Sequence, residues 1–138
     1  MTEPRIQYAK TSDGVSIAFT ALGSGAETVI SVPNIWGDVQ LYRAVPLVAA
    51  WFDLLADRGR RVFLYDSRNM GSSVHRDLDY SDAGRLADLE AVIERAGAER
   101  FSLYGFLHGC ITAAQYAVEK PDRVDRLVLV NPFAKGSD

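Results

Sequence analysis

The residues best placed to do chemistry fall in one short stretch, Tyr104-Gly105-Phe106-Leu107-His108-Gly109. It stands between a short apolar run and a segment rich in small residues. Gly105 and Gly109 keep the backbone free of Cβ atoms where a strand and the following helix must come close. They also force the middle residue into a strained conformation that lifts its side chain over the sheet. A turn of this kind presents a nucleophile. Here it presents Leu107, which has no proton to lose and no lone pair to attack with. Cys110 follows on the first helical turn, where the helix dipole can lower a thiol pKa. Its other reading is a small side chain packed on the sheet. Cys110 and Ser72 are the candidate replacement nucleophiles. His75 keeps company with Arg76, Asp77 and Asp79 and reads as a solvated loop residue, because that spacing does not mark a metal site. The Gly105–Gly109 stretch lacks the Lys-Ser/Thr of a phosphate loop, and Gly-x-Gly-x-x-Gly does not occur. No metal and no cofactor are expected.

Composition narrows the field further. The chain has 138 residues, of which 48% are hydrophobic and 24% charged. That is one ordinary globular domain, residues 1–138, and not a disordered, collagen-like or coiled-coil chain. The net charge of −3 speaks against a nucleic-acid-binding surface. No apolar run reaches the roughly 18 residues of a membrane span, and the first ten residues hold no signal-peptide core. A cytoplasmic protein with neither nucleic acid nor membrane as partner is expected. The single cysteine, Cys110, excludes an internal disulfide and a multi-Cys zinc site.

The elements that must position these residues alternate along the chain. Ile6–Ala9 and Val15–Phe19 alternate apolar and polar around the turn Ser12-Asp13-Gly14, which predicts a hairpin with one wet face. Thr28–Val32 reads as a more buried strand. Val48, Trp51, Phe52 and Leu55 make a helical stripe, with Trp51 and Phe52 as core and Gly59 as the C-terminal cap. Arg61–Asp66 is a strand. Ser67–Asp79 is polar and irregular. Ser81 caps a helix with the stripe Leu86, Leu89, Val92, Ile93 and Ala96, ended by Gly97. Phe101–Gly105 is a strand, a helix runs from about His108 to Lys120, and Pro121 stops it. Val124–Val130 is the last strand. This alternation predicts a three-layer α/β/α fold around a mostly parallel sheet of about six strands.

The chain resembles the α/β-hydrolase fold superfamily, and the resemblance runs over most of its length. Ser12–Phe19 is similar to the opening hairpin. Val32-Pro33-Asn34-Ile35-Trp36-Gly37 resembles the loop that donates to the oxyanion hole. Tyr65–Ser73 resembles the Asp-x-Arg-Gly-x-Gly-x-Ser loop, and Pro121–Val130 the exit into strand six. More narrowly, Asn34–Gly37 and Phe106–Gly109 resemble hydrolase-like domains that bacteria attach to regulators or nucleotide cyclases. The resemblance implies a truncated fold, the N-terminal half, with strand order 1-2-4-3-5-6. It implies that Leu107 stands where the family has its serine, and that the late acid and histidine, which follow strands seven and eight, lie outside this chain. It implies an oxyanion-type pocket built by Ile35 or Trp36, His108 and Phe106, with the His108 backbone N–H as donor and its ring incidental. Asp66 and Arg68 are expected to hold the loop beside the pocket. Asn131, as a neutral amide, cannot serve as a triad acid.

The expected function is therefore a hydrolase-like module of esterase or lactonase ancestry with impaired catalysis. It would bind a small acyl or carboxylate ligand or act in assembly. The alternative is an active hydrolase of ester-type bonds, completed by a partner chain or using an unconventional nucleophile. Because Leu127, Val128, Leu129 and Val130 are apolar on both faces of an edge strand, a homodimer through the strand-six region is expected.

Overall fold

The computed structural model of the protein describes residues 4–34, 39–73 and 81–133. Its strands are β1 (Gln7–Lys10), β2 (Ser16–Leu22), β3 (Glu27–Val32), β4 (Arg60–Tyr65), β5 (Phe101–Phe106) and β6 (Val124–Val130). They form one sheet in the order β1-β2-β4-β3-β5-β6, the order expected from sequence. β1 and β2 pair antiparallel, as do β2 and β4. The pairs β3–β4, β3–β5 and β5–β6 are parallel. Apolar runs such as Val62-Phe63-Leu64 suit parallel strands covered on both sides.

Among the described residues four α-helices lie on the sheet: α1 (Leu41–Ala44), α2 (Pro46–Ala56), α3 (Asp82–Ala96) and α4 (Gly109–Glu119). The side chains of β-strands alternate between faces, so one sheet buries two cores. On one face Ile30, Phe63 and Leu103 pack with Leu89, Val92 and Ala113 of α3 and α4. On the other, Val62 and Leu64 pack with Val39 and Tyr42, with Phe52 and Leu55 of α2 leaning in. The ends of α3 are set locally. The Ser81 hydroxyl accepts from the Gly84 N–H at 3.2 Å, and Gly97 closes the helix in the left-handed region at φ 66°. A glycine adopts that left-handed torsion without the cost it carries for other residues.

Three local expectations are corrected, and one short helix is added. The hairpin has no common wet face: β1 exposes Tyr8, but β2 is buried on both sides because α3 packs on one of its faces and α2 on the other. α1 was not foreseen, since four residues are too few to show a period. Gly59 is not a helix cap. α2 ends at Asp57 with a right-handed φ of −72°, and Gly59 turns the chain into β4. Trp51 and Phe52 are not core. Trp51 is 44% exposed and Phe52 half-buried, because α2 buries none of its residues.

β6 is the sheet edge. Leu127 and Val128 are exposed, while Leu129 and Val130 are half-buried. Among the described residues no helix is long and apolar enough to cross a membrane.

Candidate functional site

The site is built where β5 ends and α4 begins. Between them Leu107 sits at φ 51°, the left-handed region. Such a conformation costs a branched residue about 1–3 kcal/mol and persists only where its surroundings impose it. They do so here. The Leu107 N–H donates to the Val130 carbonyl of β6 at 3.0 Å, and its carbonyl accepts from the Cys110 N–H at 3.0 Å. The flanking glycines are matters of space. A Cβ on Gly109 would lie 2.2 Å from the Val32 carbonyl oxygen, and one on Gly105 would lie 2.9 Å from the Cys110 Cα. Strand β3, strand β5 and helix α4 thus meet backbone to backbone beneath the half-buried Leu107.

The other candidate residues fall as follows. Cys110 is 2% exposed, with its Sγ 3.4 Å from the Val130 carbonyl oxygen. Burial raises its thiol pKa, and the backbone hydrogen bonds that would lower it do not offset the desolvation. Ser72 lies across the loop, its N–H donating to Asp66 Oδ2 at 2.9 Å and its Oγ within 3.5 Å of Gln40 Nε2. His108 occupies the N-cap position of α4 with helical torsions. Its ring stands edge-on to Phe133, with centroids 4.9 Å apart, and its buried Nδ1 has no hydrogen-bond partner. Phe106 is at the exposed end of β5. Ile35, Trp36, His75, Asp77 and Asp79 lie outside the described residues. Among the described residues no group of three His, Cys, Asp or Glu side chains could hold a metal ion.

Two buried acids hold the loop after β4. Asp66, fully buried, accepts from the Val39 N–H at 2.8 Å through Oδ1 and from the Ser72 N–H through Oδ2. Arg68 is also fully buried. Its Nε donates to Asp88 Oδ1 at 2.9 Å and its two Nη groups to Asp13 at 2.9 and 3.1 Å. Asp66 and Arg68 thus brace the loop, the part the sequence assigned them. Asp88 was missed, yet it left a signal: it stands four residues before Val92, on the apolar stripe of α3, where an acid needs a buried partner.

An open groove of about 530 Å³ runs between α2 and the sheet, reaching the C-terminal ends of β3 and β5. Its walls include Val48, Trp51, Phe52, Tyr104, Phe106 and Asn34.

The sequence pattern of a family described as "alpha/beta hydrolase fold" matches residues 40–138. The chain belongs to the α/β-hydrolase fold family. The sn-1-specific diacylglycerol lipase ABHD11 of Mus musculus is 38% identical over 73 residues, which is 53% of this chain and 24% of that protein. The dihydrolipoyllysine-residue acetyltransferase component of the acetoin cleaving system of Cupriavidus necator is 29% identical over 90% of this chain and 31% of its own length. Among solved structures, a probable hydrolytic enzyme from Pseudomonas aeruginosa PAO1 superposes with a TM-score of 0.78 at 29% identity, over 94% of this chain and 42% of that one. The chain therefore spans about a quarter to a third of these two curated relatives. Its relatives in the α/β-hydrolase family include named hydrolases and a named acyltransferase component.

Proposed function

We propose that this chain is an α/β-hydrolase-fold module without serine-hydrolase chemistry, which binds a small acyl or carboxylate ligand at the C-terminal ends of β3 and β5. One observation carries the reading: the residue held at φ 51° between β5 and α4 is a leucine. The strained turn of a nucleophile elbow is retained, and the oxygen that would attack is replaced by the Cγ of an isobutyl group. Removing the nucleophile leaves binding and oxyanion donors, worth roughly 10³ over water in a serine protease. Donors here would be the His108 and Gly109 N–H groups, at the positive end of the α4 dipole, since the next two, of Cys110 and Ile111, donate to the Leu107 and His108 carbonyls. The aromatic wall of Phe106 suits an acyl chain.

The test is labelling of the purified chain with a fluorophosphonate and, separately, turnover of p-nitrophenyl acetate. No label and background turnover are expected, together with butyrate-induced amide shifts in NMR spectra at His108 and Gly109. Labelling or turnover abolished by Ser72→Ala or Cys110→Ala would overturn the reading and name the nucleophile of an active hydrolase.

A further inference from the structure

We infer that the small cavity at the start of α4 is a binding site for one water molecule, held by the hydroxyls of Tyr65 and Thr112 and by Nδ1 of His108. The inference is independent of the ligand reading. The cavity lies where β4 ends, between the first turns of α3 and α4. Its walls include Tyr65 of β4, Ser67 and Met70 of the loop that follows, Arg85 of α3, and His108 and Thr112 at the start of α4. Inside it the centre of a water molecule has about 10 Å³. That is the room one water needs, and it leaves none for a second.

Three of the walls are polar groups that the protein itself does not satisfy. Nδ1 of His108 is buried and has no hydrogen-bond partner. Tyr65 is 3% exposed and Thr112 5%. Among the described residues neither hydroxyl makes a hydrogen bond to the protein. Burying a polar group unpaired is costly, so groups of this kind almost always find a protein atom or an ordered water. That all three border one cavity of a single water's size is what points to the occupant.

The donors and acceptors match. Burial, with the Asp88 carboxylate acting in the same direction, keeps the Tyr65 phenol protonated, so it can donate. The water accepts that O–H. It gives one of its protons to Oγ1 of Thr112 and the other to Nδ1 of His108, whose ring then carries its own proton on Nε2. Three hydrogen bonds are the usual number for a buried water. Arg85 stands in the wall and no carboxylate is among the described lining residues, which disfavours a cation. The volume excludes a polyatomic anion. Bound there, the water ties the end of β4 to the first turn of α4, directly after the strained Leu107.

Two measurements test the site. In NMR spectra of the intact chain, a long-lived water should show an NOE to the Thr112 methyl, and nitrogen-15 shifts should report His108 with its proton on Nε2. Thr112→Val and Tyr65→Phe each remove one hydroxyl and keep the side chain's shape. With a water bound, each should raise the unfolding constant in urea about fivefold, the worth of one hydrogen bond. In a dry cavity the loss of an unpaired buried hydroxyl would be neutral or stabilising. An unfolding constant unchanged or lowered in either variant would overturn the inference. So would the lack of a water NOE in the wild-type chain, which decides the matter if neither variant folds. Shifts at His108 that follow chloride concentration would overturn it in favour of a bound anion.

Discussion

Leu107 concentrates the chemistry of this chain in one side chain. Its backbone is pinned by hydrogen bonds to β6 and α4, so the left-handed conformation belongs to the scaffold and not to the residue. Replacing the side chain should therefore keep the turn. Leu107→Ser is expected to fold and still to leave p-nitrophenyl ester hydrolysis at background in this chain. A serine needs a base within hydrogen-bond reach, and the ring of its neighbour His108 is packed on Phe133. Brisk hydrolysis by that variant would reveal a base that the described residues do not show. Cys110 makes a complementary prediction. A thiol that is 2% exposed, with its pKa raised by burial, should react with iodoacetamide far more slowly in the native chain than in urea. Equal rates by mass spectrometry would mean that the helix end opens readily.

At the scale of elements, the site depends on three pieces of backbone meeting without side chains between them. Gly109 is the tightest point, since an added Cβ would sit 2.2 Å from the Val32 carbonyl oxygen. Neither atom belongs to a flexible side chain, so β3 or α4 must shift. Gly109→Ala should cost about 1–3 kcal/mol, the usual range for overpacking, measured as a lower urea midpoint. Gly97→Ala is the control, because no atom would crowd its Cβ; only the left-handed torsion would resist it. A Gly109→Ala chain as stable as wild type would show that the strand–helix contact is looser than described.

Across the whole molecule, Arg68 ties the β1–β2 turn, the loop after β4 and helix α3 together through Asp13 and Asp88. Arg68→Ala would leave the Asp88 carboxylate buried without its cation and should destabilise by about 3–5 kcal/mol in urea unfolding. Asp13 gives the network a pH dependence. The Arg68 guanidinium, helped by the Thr11 hydroxyl, lowers its pKa from 3.8 to about 2. A depressed acid contributes stability that is complete above its unfolded pKa and fades as pH falls through the folded one. Asp13→Asn should therefore be less stable than wild type at neutral pH, with the gap closing between about pH 4 and 2. A gap constant across that range would assign the loss to shape and not to charge.

Much of this was decided within short stretches of chain. Alternation of strand and helix periods set the element order. Ser81 and Gly97 marked the ends of α3 by local capping, and Gly105 and Gly109 foretold the strained turn at Leu107, since each of these acts within a few residues. What depends on distant neighbours was not legible. The Arg68–Asp13 and Arg68–Asp88 pairs join residues 55 and 20 positions apart. The helix dipole argues for a reactive Cys110, but burial against β6 reverses the direction. Trp51 and Phe52 carry a core-like stripe that the fold leaves half in water. An apolar side chain specifies that it should be covered; only the tertiary arrangement decides by what, because burial is a property of the surfaces that meet and not of the residue that seeks them.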